Sequence, residues 1–464
     1  MSIANDILSG RMPNIAGYLA AGESIDDIDE YGFTPLIETA IARQPEIAKV
    51  LIEHGADVNK TDVTGRGALH WAVDNDDLRL TRLLLDHGAD PNAYTRAGLP
   101  VLVYPLLRVQ NQLKHLLYQY GAKIEFAQDF ISAKLLGHRF ELCADVDILN
   151  AKGEFIELDY SGFILEFSLV MIIDSLRRFT SSYSTRHVRH HFPLVHTIMD
   201  AFSVADELLQ FQQPMSLTAA HKQRLAYLLQ SPLLILPAAS RGHAFCFVRY
   251  RQWWAKIDRG ENSLRAGSIN VYQITHPEVL NVDFLQEFLY KKQPMEYFNT
   301  VVNQKLGLVH VGKIPMARQI SGNCSWANVQ AVVPVAYNLL QMSSLDMLND
   351  PEAIKLYESW VEWDKDRALD DCIQRFYAAT PERKASLASM LAGVLFQACD
   401  DRRRDHLARA EKILTVLTLP AYRYILNTYL DIYCIKQRTI KGNNLLKLLE
   451  DCGINPNIGV NPIA

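Results

Sequence analysis

A mainly helical chain of several domains is what this sequence predicts: a repeat solenoid at the N-terminus, a mixed α+β middle and an α-helical bundle at the C-terminus. Three observations carry the prediction. A short pattern recurs every 33 residues over the first 125, strand-like runs crowd together between 232 and 258, and from 346 onward apolar residues keep a helical period. At 464 residues the chain exceeds one ordinary core, and the divisions fall at 1–125, 126–345 and 346–464.

The N-terminal repeat is legible at two places. "TPLIETAI" at Thr34, "GALHWAVD" at Gly67 and "PVLVYPLL" at Pro100 follow one another at steps of 33. Gly22, Gly55, Gly88 and Gly121 keep the same step in "AAGESI", "EHGADVN", "DHGADPN" and "QYGAKIE". Proline in a first helical turn forfeits no hydrogen bond, and Gly55 and Gly88 suit the left-handed residue that ends a helix. Leu36, Leu69 and Leu102 fall on the side facing the next repeat. One unit this small cannot bury its apolar face, so the four stack as one body; the first lacks the Thr-Pro-Leu entry and reads as a cap. The pattern resembles ankyrin repeats, which implies protein binding through the concave surface and finger loops such as "GADVNKTDVTGRG". Tyr31, Asp62, Arg66, Tyr94 and Arg96 are the candidate contacts, read as exposed at the finger tips. Tyr94 and Arg96 lead, because exposed aromatic and arginine side chains carry most binding energy. Trp71 reads as packing between repeats.

In the middle third, "PLLILPA" (232–238), "HAFCFVRY" (243–250) and "QWWAKID" (252–258) predict an antiparallel meander. "SINVYQIT", a helical "NVDFLQEFLYKK" and a strand in "LGLVHVG" follow. His243 opens one strand and Asp258 closes the next, so the two ends lie side by side, where the carboxylate can orient the ring and stabilise its cation. Glu261 and Asn262 are near enough in sequence to take that role instead. In "RQISGNCSWANVQ", Cys324 stands at the mouth of a helix, whose N-terminus favours thiolate over thiol. Gln319 can aim its amide at a developing oxyanion beside the Cys324 N–H; Cys246 reads as core. The order His–Asp–Gln–Cys, with "LLILPAASRGHAF" running into the histidine strand, resembles the papain-like cysteine peptidases of permuted order, the adenain and YopJ-like group. The resemblance spans about 230–340. It implies Cys324 as nucleophile, His243 as proton shuttle, Asp258 as its orienting group and Gln319 at the oxyanion, in a peptidase, a deubiquitinase-like enzyme or an acyl transferase.

Other classes are disfavoured. With 47 basic against 52 acidic side chains the chain lacks the basic surplus of a nucleic-acid binder, so no direct nucleic-acid partner is expected. Seven scattered cysteines without CxxC spacing suit neither a disulfide framework nor a structural zinc site. The N-terminus shows no basic segment before an apolar core, and the apolar runs fall short of the roughly 18 residues that span a bilayer, so no membrane partner is expected. His187, His190 and His191 in "RHVRHH" have helical spacing that could place a metal, but no acidic or cysteine partner is close in sequence and a solvated turn explains them as well. Neither a metal nor an organic cofactor is expected: there is no phosphate-binding loop, no GxGxxG after a strand, no HExxH and no GxSxG.

The order of domains resembles the ankyrin H effector class of Legionella and its relatives. That resemblance implies a type IV-secreted protein working in the host cytoplasm and nucleus, with its repeats on a host protein. Two functions stay open: an enzyme directed at that protein, or a non-catalytic adaptor with a degenerate protease fold that interferes by binding alone.

Overall fold

The computed structural model describes residues 3–160, 165–210, 218–240, 242–260, 267–320, 322–342, 348–400 and 402–455. The chain divides into two compact units, the first made of 1–133 with 145–159 and 375–390, the second of 134–144, 160–374 and 391–464.

In the first unit the repeats fold as helix pairs: α1 (Ile3–Leu8) with α2 (Ile15–Ala20), α3 (Pro35–Ile41) with α4 (Pro45–Glu53), α5 (Ala68–Asp74) with α6 (Leu78–Asp86), and α7 (Val103–Leu107) with α8 (Asn111–Gln119). Helices α4, α6 and α8 start 33 residues apart, in phase with the sequence period. Thr34 caps α3 by accepting from the Ile37 N–H, with Pro35 in the first turn. Asp77 does the same for α6 through Leu80 N at 2.9 Å. Leu36, Leu69 and Leu102 are buried, and Gly55 and Gly88 close their helices at φ of 92° and 88°.

The repeats are also stitched by an asparagine that the period alone did not reveal. Asn59 donates to Gly88 O at 3.0 Å and accepts from Asp90 N at 2.9 Å. One repeat on, Asn92 donates to Gly121 O at 3.0 Å and accepts from Lys123 N at 2.7 Å. Helix α9 (Ile124–Arg139) follows the fourth pair, and β1 (Asp145–Leu149) and β2 (Phe155–Asp159) make an antiparallel hairpin.

The second unit is built on a five-stranded antiparallel sheet in which sequence neighbours are spatial neighbours: β3 (Leu233–Ser240), β4 (His243–Tyr250), β5 (Trp253–Ile257), β6 (Ile269–Gln273) and β7 (Val309–Lys313). Alternation assigns the faces. Leu233, Ile235, Cys246, Val248, Trp253, Ala255 and Ile257 point to a core shared with α10 (Leu165–Ser181), α11 (Phe192–Gln210) and α13 (Cys324–Gln341). Leu234, Leu236, Phe245, Phe247 and Trp254 point the other way, onto α12 (Ala219–Leu228) and the segment 284–306. Both tryptophans of the 253–254 pair are therefore buried, one on each face. Helix α13 is buried at every residue from Ser325 to Leu339, so its few polar side chains must find partners inside the protein. Pro334 sits inside it, and the side-chain amide of Asn338 donates to the Pro334 carbonyl at 2.8 Å, one turn on. Helix α14 (Pro351–Ala378) opens the helical C-terminal part.

Candidate active site

The hairpin joining β3 to β4 pairs Ser240 with His243, so the ring stands at the very start of its strand. On β5, Ile257 pairs with Cys246, which carries the next residue, Asp258, back alongside the start of β4. There His243 Nε2 lies 2.9 Å from Asp258 Oδ1. The Gly260 N–H donates to the same oxygen at 3.1 Å, so the carboxylate is held from two sides. With Nε2 taken by Asp258, Nδ1 is the nitrogen left for the thiol of Cys324, which interacts with the ring closely enough for each to shift the other's pKa.

Cys324 is the first residue of α13. Its sulfur accepts from the Ala244 N–H at 3.3 Å, which ties the helix start to the strand residue next to the histidine. Burial alone would push the thiol up, but the hydrogen bond from His243, the N–H groups of Ala244 and Ser325 and the imidazolium charge outweigh it, and the thiol ends below its ordinary value. His243 moves the other way, up to about 9, through its hydrogen bonds to Asp258 and Cys324, against burial. Burial works to raise the Asp258 carboxyl too, yet the imidazole bond and charge and the Gly260 N–H hold it below the usual carboxylate range. The opposite shifts move both groups toward a thiolate–imidazolium pair, which titrates as a pair. His243 keeps 21% of its side chain exposed and Asp258 only 7%: the ring is reachable and its anchor is sealed. Chemically, such a pair can attack a carbonyl carbon and return a proton to the leaving group.

Gln319 reaches the same place by its backbone, its N–H donating to Arg259 O at 3.1 Å beside Asp258. Its Oε1 is buried without a hydrogen-bond partner among the described residues. Cys246 is fully buried, and burial drives its thiol up, out of the thiolate range. Glu261 and Asn262 lie outside the described residues.

A solved structure titled Structure of Legionella Effector AnkH matches with a TM-score of 0.87 and 65% sequence identity, covering 100% of both chains. The chain belongs to the AnkH family. Within it, the repeat region also matches the family model Ankyrin repeats (3 copies) over residues 4–95. A curated relative of the AnkH-type repeats is Inversin from Danio rerio, 39% identical over 57 residues, which are 12% of this chain and 6% of Inversin's length. Among the described residues, no helix is long and apolar enough to cross a membrane.

In this AnkH relative the finger-tip candidates separate into two kinds. Tyr31 is 66% exposed and Arg96 is exposed. Tyr94 is exposed on one side, with its ring edge-on to Phe126. Asp62 corrects the expectation of exposure: it is buried, and its Oδ1 accepts from Thr64 N, Thr64 Oγ1 and Arg66 N, so it builds the finger turn. Arg66 is half-buried, paired with Asp74 at 3.0 Å and stacked 3.9 Å over Trp71. Trp71 itself packs edge-on against Phe33 of the preceding repeat.

Three residues that position the AnkH-family site escaped the sequence reading. Asn328, one turn into α13, donates to Ala244 O at 2.7 Å and accepts from Arg259 N at 2.8 Å, clamping the helix to both strands of the His–Asp pair. Arg259 is buried and donates to Ala317 O at 2.8 Å, which fixes the segment leading to Gln319. Gly260 gives the ring room: a Cβ there would lie 2.5 Å from His243 Cε1. "SWANVQ" did hold one signal, an asparagine one turn into a mostly apolar helix, which burial obliges to find partners.

Proposed function

We propose that the chain is an effector that holds a host protein with its ankyrin repeats and performs acyl chemistry on a peptide or ubiquitin-like carbonyl with Cys324. The observation that carries the reading is the Cys324–His243–Asp258 geometry, with His243 Nε2 2.9 Å from Asp258 Oδ1 and the Cys324 sulfur 3.3 Å from the N–H of Ala244, the residue next to that histidine. The thiolate attacks the carbonyl carbon, the C–N bond breaks, and the His243 imidazolium gives its proton to the departing amine. The thioester is then cleaved by water, or by an acceptor nucleophile if the reaction is acyl transfer, with His243 taking the proton back. Asp258 keeps the ring oriented and its cation stable. The Cys324 N–H and the Gln319 amide are the proposed oxyanion donors. Membership of a family that includes a Legionella effector supports delivery into a host cell; the type IV route and action in the host cytoplasm and nucleus belong to the same proposal.

Incubation of the full chain with ubiquitin-type and peptide electrophile probes tests the enzyme. Wild type should form a covalent adduct at residue 324 that Cys324→Ala lacks, while both fold alike. A wild type inert to every such probe, with Cys324 still open to small alkylating reagents, sinks the catalytic reading. The second reading, an adaptor with an inactive site, draws on the exposed Tyr31 and Arg96 of the repeats. Under that reading Cys324→Ala keeps the full effect of the protein and Arg96→Ala removes it.

A further inference from the structure

The histidines of "RHVRHH" do not line up as an α-helix would place them. Arg186–His191 is a 3-10 helix, with about three residues per turn, so positions 187 and 191 no longer share a face. His187 turns to the Ser184 carbonyl, with Nδ1 3.1 Å from that oxygen. His190 and His191 stay together, their ring centroids 3.8 Å apart. Folding then supplies the acidic partner absent from the neighbouring sequence. Glu352, in the first turn of α14, brings Oε2 to 3.6 Å from His191 Nε2. The ligand-capable atoms of His190, His191 and Glu352 all lie within 4.8 Å of one another.

We propose that His190, His191 and Glu352 form a divalent transition-metal site, zinc first among its occupants, with water completing the coordination. Two imidazoles and a carboxylate are a donor set that zinc accepts, and three protein ligands leave one position for solvent. Zinc–ligand bonds of about 2.1 Å in a tetrahedron separate ligand atoms by about 3.4 Å. The His191–Glu352 separation is close to that already, and the remaining gap closes by rotation of the exposed His190 ring.

His191 is the fixed member. It is 4% exposed, and its other nitrogen, Nδ1, lies 2.9 Å from the Tyr337 hydroxyl. A second partner of this kind sets the tautomer and aims the ligating nitrogen. Lys355 binds the opposite oxygen of the Glu352 carboxylate at 2.5 Å, which leaves Oε2 for the metal. Tyr337 belongs to α13, the helix that begins with Cys324. A metal here therefore ties the starts of α11 and α14 to the far end of the helix that carries the thiol.

The test is a zinc titration of the full chain against a chromophoric chelator, with cobalt(II) absorption as the report on ligand type. Wild type should take up a single equivalent of zinc, and bound cobalt should show ligand-field bands without thiolate charge transfer. His190→Ala and Glu352→Gln, both at partly or fully exposed positions, should each weaken zinc by about tenfold or more, and His187→Ala should leave it unchanged. Zinc should raise the melting temperature of wild type and of His187→Ala, and do so less for the other two. The proposal is overturned by a wild type that binds no zinc, by variants that bind it as tightly as wild type, or by cobalt spectra that report sulfur.

Discussion

Gly260 holds the smallest side chain in the candidate active site because the His243 ring occupies the space where a Cβ would be. Its backbone is not in the left-handed region, so Gly260→Ala should fold, with the strain falling on the ring. The expected result is slower Cys324 alkylation than in wild type at the same near-neutral pH, with little change in melting temperature. The pH dependence has a definite sign. Wild-type alkylation at residue 324 should persist to lower pH than that of an ordinary thiol, whose pKa is about 8.5, and fail as pH drops through the lowered thiol value. Steps that need the imidazolium should decline as pH rises through about 9. Stability follows the same groups. The His243 contribution is complete below the unfolded value of about 6.5 and is lost as pH rises through about 9. That of Asp258 is complete above its unfolded value of about 3.9 and is lost as pH falls through the lower folded value. Asp258→Asn should flatten both limbs, as read from melting temperature against pH.

Among the elements, α13 depends most on one polar side chain. Asn328→Ala leaves the Ala244 carbonyl and the Arg259 N–H without partners in a dry interior and should cost about 1–3 kcal/mol in denaturant unfolding. Asn328→Asp keeps an acceptor for the Arg259 N–H but sets a carboxylate oxygen against the Ala244 carbonyl in a dry interior, so it should cost at least as much. Elements whose signal is periodic were legible from the chain alone: the repeat helices from the 33-residue step, and β4 from His243 to Tyr250 residue for residue. "NVDFLQEFLYKK" reads as helical and is helical, α over Val282–Leu285 and then π over Gln286–Tyr290, a change of hydrogen-bond register that leaves no mark in hydrophobic spacing. Asp62 was misread because acidic residues at loop tips usually face water, whereas here three donors of the finger turn converge on its carboxylate. His243, Asp258 and Cys324 could be proposed from strand ends and a helix mouth. Asn328, Arg259 and Gly260 could not, because what they do depends on contacts between segments distant in sequence.

For the molecule as a whole, the two proposed tasks rest on different residues and should come apart by mutation. A Tyr31→Ala, Arg96→Ala chain should lose capture of its partner from host-cell lysate while Cys324 alkylates at the wild-type rate. Cys324→Ala should still capture that partner. Loss of both properties in either variant would mean that repeats and thiol act as one. The sheet has a last consequence, which follows from its order along the chain. Because every strand pairs with its sequence neighbour, the imidazole and its carboxylate can meet as soon as a single hairpin closes, a short and entropically cheap loop. The sulfur arrives from 66 positions beyond the carboxylate, after the remaining strands and on a helix that must settle across the finished sheet. An unfinished chain thus carries a proton acceptor with no nucleophile beside it. If the proposed chemistry holds, the thiol gains its partner only in the completed molecule.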